Sequence, residues 1–165
     1  MCIRDRANSV FNLLNEKKLT VSFAESCTGG MLSESIVNQQ GASKVFKGSI
    51  VSYSNESKID LLDVTSIKSS GAVSEETSKQ MAKSALDKFK SDFSIAVTGI
   101  AGPDGGSEEK PVGTVFIAIA DKNEVSAYKY NFNWGRQRNR IYTTSMAWDL
   151  LRRKILDLPM TWEKK

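Results

Sequence analysis

Ser26 and Lys58 are the side chains in this sequence best suited to do chemistry together. Thr20 to Ala24 reads as a short apolar strand, Glu25 to Gly30 as a polar turn with two glycines, and Met31 to Asn38 as a helix. Such a junction holds a side chain at the end of a sheet and aims the free N–H groups of a helix start at it. Ser26 is therefore a candidate nucleophile, with oxyanion donors around Cys27, Thr28, Gly29 and Gly30. The plain alternative is that Ser26 and Thr28 only cap the helix. The chain contains no histidine, which excludes a Ser-His-Asp triad, a Cys-His pair and any His-ligated metal. The proton of a nucleophilic Ser26 must then go to a lysine, a tyrosine or a carboxylate.

Lys58 falls in the first turn of a short predicted helix, Ser54 to Leu62, where the positive end of the dipole disfavours an ammonium. A neutral Lys58 could accept the serine proton. Tyr53, at the end of the preceding strand, could relay that proton or steer a substrate. A solvated lysine and a strand-end aromatic are the competing explanation. Cys27 is a second possible nucleophile, but next to a strand a cysteine more often packs as a small apolar residue.

Two further stretches have residue types suited to an anion. Thr98 to Ser107 carries Gly99, Gly102, Gly105 and Gly106, and glycines let backbone N–H groups close on a phosphate. The spacing is not GxGxxG and no Walker lysine-serine follows, which argues against triphosphate chemistry. A surface loop would look the same. Arg136 and Arg140 are four apart and share a helix face, and arginine suits a phosphate by bidentate contact. A solvated or salt-bridged helix face would carry the same residues.

The elements that must position these groups follow from periodicity. Ala7 to Lys18 has helical spacing, Val45 to Tyr53 is a β-rich run broken by Gly48, and Thr65 to Val73 is polar connection. Ser74 opens a helix with Met81, Ala82, Ala85, Leu86 and Phe89 inward. Phe93 to Val97, Val112 to Ala120 and Val125 to Phe132 are strands, the last two forming a hairpin around Asp121 to Glu124. Arg136 to Leu158 is a long helix with Ile141, Trp148, Leu151, Ile155 and Leu158 inward. The pattern predicts an α/β fold, a three-layer α/β/α sandwich with a mixed sheet, as a single domain over 7–158 with tails at 1–6 and 159–165. Ligands in such sheets bind beyond the strand carboxyl ends, where the corners holding Ser26, Tyr53–Lys58 and Thr98–Ser107 should meet.

Composition narrows the function classes. The chain has 165 residues, 40% apolar and 25% charged, with a formal net charge of +4. That suits one ordinary globular domain. No apolar run approaches a membrane span and no signal peptide is evident, so the expectation is a cytoplasmic protein with no membrane partner. Two cysteines, Cys2 and Cys27, make no disulfide framework. The modest basic excess favours a small anionic ligand over nucleic acid. No metal site and no cofactor are expected.

Several stretches together resemble the CinA C-terminal domain family, the nicotinamide mononucleotide (NMN) amidohydrolases. They are Ala24-Glu25-Ser26-Cys27-Thr28-Gly29-Gly30, then Tyr53-Ser54-Asn55-Glu56-Ser57-Lys58 with Leu61-Leu62. Next come Val97-Thr98-Gly99-Ile100-Ala101-Gly102-Pro103, with Gly105-Gly106-Ser107 and Lys110-Pro111-Val112-Gly113-Thr114-Val115, and last Gly135-Arg136 with Arg140. The resemblance implies hydrolysis of the NMN carboxamide to nicotinic acid mononucleotide and ammonia. Ser26 would be the nucleophile, Lys58 and Tyr53 its partners, and Thr98, the glycines after it and Arg140 the lining of the substrate pocket. It also implies a homo-oligomer. Trp134-Gly135-Arg136 lacks the acid that the family often has before its last helix, so no role for that acid carries over. Two other functions fit the sequence: a Ser-Lys amidase for a different amide, and a non-catalytic nucleotide-binding module tied to competence or DNA damage.

Overall fold

Strands in this chain alternate a large apolar residue with a small one, and that alternation sets the spacing of the layers. In β1 (Val21–Glu25), β3 (Phe93–Gly99) and β4 (Thr114–Asp121), Val21, Phe23, Ile95, Val97, Ile117 and Ile119 project to one face. Ala24, Ala96, Ala118 and Ala120 project to the other. The computed structural model describes residues 3–160. On the small-residue face lies α5 (Glu75–Phe89), close enough for strand hydroxyls to reach its backbone. Ser94 Oγ donates to Ala82 O at 2.6 Å and Ser22 Oγ to Ala85 O at 3.3 Å. These bonds satisfy hydroxyls that would otherwise be buried at a penalty.

The large-residue face is covered by α1 (Ile3–Lys17), α2 (Met31–Val37) and α6 (Arg136–Ile155). Trp148 of α6 is fully buried there, edge-on to Phe23 at 5.6 Å between ring centres. The sheet order is β2-β1-β3-β4-β5, where β2 is Phe46–Val51 and β5 is Val125–Asn131. β2, β1 and β3 run parallel, and β4 and β5 run antiparallel as a hairpin. The expected three-layer α/β sandwich with a mixed sheet is the fold observed.

Four local expectations are corrected. The helix α1 begins at Ile3 rather than Ala7: Ile3 packs against the core and Arg6 Nη1 donates to Ser145 O at 3.3 Å, so most of the presumed tail is structural. Met1, Cys2 and residues 161–165 lie outside the described residues. Gly48 does not end β2, although the pairing with β1 slips one residue there, with Val21 opposite Phe46 and Ser22 opposite Gly48. It makes room for Phe89 of α5, whose ring carbon would lie 2.3 Å from any Cβ built there. The polar connection after Thr65 contains a single helical turn, α4 (Ile67–Ser70). At the other end α6 stops at Ile155, and Leu158 is 39% exposed rather than inward.

Candidate active site

Parallel pairing brings the three polar corners together. Glu25 lies opposite both Val51 of β2 and Val97 of β3, so all three strands finish at one edge. The ladder continues one step past β1: Ser26 N donates to Val97 O at 3.0 Å, and Ser52 N to Glu25 O at 2.8 Å. The nucleophile candidate is thus tied to the sheet itself.

The turn after Ser26 is held by Glu25, a role the sequence reading did not assign. Its carboxylate is fully buried. Oε2 accepts from Thr28 Oγ1, Gly30 N and Leu32 N at 2.8, 3.0 and 3.2 Å, and Oε1 from Ser33 N and Ser33 Oγ at 3.0 and 2.7 Å. Gly30 has no side chain to cap α2, and Glu25 supplies the cap from the strand. An acid near a helix N-terminus is stabilised by the free N–H groups there. In consequence Gly30 N–H is not available to an oxyanion, and Gly29 N–H is spent on Ser26 O at 3.0 Å. Among the described residues no backbone acceptor is bonded to the N–H of Cys27 or Thr28, the Cys27 N–H facing only its own sulfur. The expected oxyanion donors therefore contract from four residues to these two.

Lys58 stands opposite Ser26. It sits in the first turn of α3 (Asn55–Leu62), whose N-cap Ser54 accepts from Ser57 N at 3.0 Å. Only 2% of Lys58 is exposed. Its Nζ lies 3.0 Å from Ser26 Oγ, 2.8 Å from Ser52 O and 3.4 Å from Tyr53 O. A neutral amine can donate to the two carbonyls and still offer its lone pair to the Ser26 hydroxyl. Burial holds the Lys58 pKa below the ordinary 10.5. The cause is desolvation, which disfavours the ammonium and outweighs the opposing influence of Cys27. Cys27 is pushed the other way: burial lifts its thiol to about 12, against the opposing charges of Lys58 and Arg140. A thiol held neutral in this way is a poor nucleophile.

A cavity of about 260 Å³ opens over this pair. Of the expected site residues, Ser26, Cys27, Tyr53, Lys58, Thr98, Gly99, Gly102 and Gly105 line it; Thr28, Gly29, Gly30, Gly106 and Arg140 do not. Thr98 is buried and donates through Oγ1 to Ala72 O at 2.7 Å, fixing the segment that forms one wall. Gly102, at φ 92°, comes so close to Val112 that a Cβ would lie 2.5 Å from Val112 Cγ1.

The largest departures concern Arg140 and Tyr53. Arg140 Nε donates to Cys27 O at 3.0 Å and Nη2 to Thr28 O at 2.8 Å, so it secures the turn rather than facing a ligand. Tyr53 is 59% exposed, and its hydroxyl accepts from Arg136 Nη2 at 2.8 Å; no hydrogen bond joins it to Ser26. Arg136, not Arg140, lines the cavity. Asn139 was also missed. Buried, it donates to Ala101 O at 3.1 Å and accepts from Trp134 N at 3.1 Å, stapling the glycine loop to α6. No spacing rule marks it, because both partners are backbone groups brought in by the fold.

A larger groove, about 760 Å³, runs along the outer flank of α5. Its lysines and acids are solvated or paired with each other, as Lys83 with Asp87 at 2.8 Å. Among the described residues no helix is long and apolar enough to cross a membrane, and none of the His, Cys, Asp and Glu side chains cluster as a metal site.

With this geometry established, comparison with known proteins assigns the family. Residues 3–155 match the CinA C-terminal domain. The chain belongs to that family. It is 52% identical over 149 residues to a CinA-like protein of Fervidobacterium nodosum, covering 89% of this chain and 36% of that one. It is 51% identical over 146 residues to a CinA-like protein of Endomicrobium trichonymphae, covering 87% and 34%. The chain thus spans about a third of the length of these curated relatives. Among solved structures it superposes with a TM-score of 0.88 on the competence/damage inducible protein CihA of Agrobacterium tumefaciens. That pair is 38% identical, covering 91% of this chain and 93% of that one.

Proposed function

We propose that this CinA domain hydrolyses the carboxamide of NMN to nicotinic acid mononucleotide and ammonia, with Ser26 as nucleophile and Lys58 as base. The observation that carries this reading is the 3.0 Å contact between a buried lysine amine and the Ser26 hydroxyl at the floor of a cavity. A base within hydrogen-bond reach of its nucleophile, with its pKa lowered, is what general-base catalysis requires.

In the first half-reaction Ser26 Oγ attacks the amide carbon while its proton passes to Lys58 Nζ. The tetrahedral oxyanion is met first by the N–H of Cys27, which lines the cavity; losing one such donor typically costs ~10²–10³ in rate. Lys58 returns the proton to the leaving nitrogen, and the C–N bond breaks to release ammonia and a seryl ester. Water then attacks the ester, Lys58 accepts its proton, and the carboxylate departs as the proton returns to Ser26. The positive pyridinium withdraws electrons from the amide carbon, so part of the activation comes with the substrate. The glycine loop supports recognition of the ribose phosphate: among the described residues, the N–H groups of Gly102, Asp104, Gly105 and Gly106 have no protein acceptor. Binding energy from that remote group positions the carboxamide.

The experiment is ammonia release from NMN by the wild-type chain and Ser26→Ala, alongside a panel of other amides. The reading expects turnover of NMN by the wild type and none above background by the variant. Equal rates in the two proteins end it, and preference for another amide moves the substrate while keeping the chemistry.

A further inference from the structure

Arg136 and Arg140 share one face of α6, yet the fold uses them differently. Arg140 is consumed by the Cys27 and Thr28 carbonyls. Arg136 lines the cavity with Ser26 and Lys58. Its Nη1 donates to Gly102 O at 2.9 Å and its Nη2 to Tyr53 OH at 2.8 Å. Both acceptors are neutral, and among the described residues no carboxylate forms a salt bridge with Arg136. A guanidinium carries more N–H donors than two bonds use. Arg136 is therefore a held, uncompensated cation at the cavity, with donors to spare.

Resting on the hydrolase reading above, we propose that Arg136 is the residue that binds the phosphate monoester of the substrate, and that Tyr53 is its brace rather than a relay for the Ser26 proton. Two fixed bonds aim the guanidinium before any ligand arrives, which limits the entropy lost on binding. One of those bonds ties it to the glycine loop, so the open N–H groups of Gly102 and Gly105 belong to the same wall. Asp104 is the single acid among the lining residues, and its charge makes an anion depend more heavily on Arg136. Tyr53 meets Lys58 only through its backbone carbonyl, at 3.4 Å, which leaves its phenol free for this bracing role.

The test compares two amides that differ only in the phosphate, NMN and nicotinamide riboside, across wild type, Arg136→Gln, Tyr53→Phe and Arg140→Gln. Arg136→Gln should lower kcat/KM for NMN by about 10–100-fold, mainly through KM, and for the riboside by less than about threefold, the scale of one charge-assisted contact. Tyr53→Phe should show the same phosphate-selective pattern more weakly, and Arg140→Gln should lower kcat for both amides alike. Calorimetric affinity for nicotinic acid mononucleotide should fall in Arg136→Gln by the same factor as the NMN effect. Equal losses on both amides, or unchanged affinity for the mononucleotide, would overturn the assignment of Arg136. A kcat loss on both amides in Tyr53→Phe would overturn the brace. If the wild type released no ammonia from either amide, the hydrolase reading would fall, while the calorimetric comparison would still decide whether Arg136 binds the phosphate.

Discussion

Replacing Glu25 with glutamine changes one atom and removes the charge on which the nucleophile turn depends. In the native protein two carboxylate oxygens accept from five donors: Thr28 Oγ1, Gly30 N, Leu32 N, Ser33 N and Ser33 Oγ. Glutamine keeps one acceptor oxygen and adds an NH₂. The least damaging orientation leaves the oxygen toward Thr28, Gly30 and Leu32 and turns the NH₂ toward Ser33. The Ser33 hydroxyl can rotate to accept, but its N–H then faces another donor and goes unpaired inside the protein. One lost charge-assisted bond and one buried unsatisfied donor together cost about 3 kcal/mol. For a chain of this size that corresponds to a fall in Tm of about 6–12 °C. The turn that presents Cys27 and Thr28 N–H should loosen as well, lowering kcat for ammonia release by ~10–100-fold with little change in KM. The assays are thermal unfolding by circular dichroism and steady-state ammonia release. A fall in Tm under about 2 °C, with kcat intact, would refute the claim that Glu25 holds this corner together.

Because Lys58 must be neutral to act and its pKa lies below 10.5, kcat/KM should rise with pH along a limb whose midpoint falls under that value; a midpoint at or above it would exclude Lys58 as the base. The same shift bears on stability. Between the lowered folded pKa and the unfolded one the unfolded chain holds more proton, so stability climbs with pH across that window, and Lys58→Met should remove this slope in unfolding titrations. Cys27, with its thiol near 12, should resist iodoacetamide in the native protein at pH ~8 and label readily in denaturant; fast native labelling, located by peptide mapping, would contradict its burial. Asn139→Ala should strand Ala101 O and Trp134 N, lowering stability by about 2–3 kcal/mol as measured by urea unfolding.

The fold was legible because the strands carry their own geometry. Period-two alternation of large and small residues in Val21 to Ala24, in Ile95 to Val97 and in Ile117 to Ala120 marks strands and their two faces. Ser74 before Glu75 and Glu76 marks a helix start, and the side chain of Ser74 does accept from Thr77 N at 3.1 Å. The Ser26–Lys58 pairing was reachable by elimination, since a chain without histidine has few bases to offer. Glu25 was not legible, because its role depends on amides that only the folded turn brings to it. The division of labour between Arg136 and Arg140 was hidden for a related reason. Helical spacing puts both on one face, but one turn of rise decides which meets the cavity and which meets the turn. The start of α1 misled because the partners of Arg6, Ser145 and Asp149, come from the far end of the chain.

The backbone bond from Ser26 to Val97 makes the Ser26 hydroxyl an appendage of the central sheet, whereas the glycine loop from Ala101 to Gly106 is joined to the rest through Asn139, Arg136 and backbone contacts. On the proposed reading, bond-breaking and substrate choice reside on separable pieces of scaffold. Recutting the loop offers a route to new amides while the hydrolytic pair stays where the strands hold it.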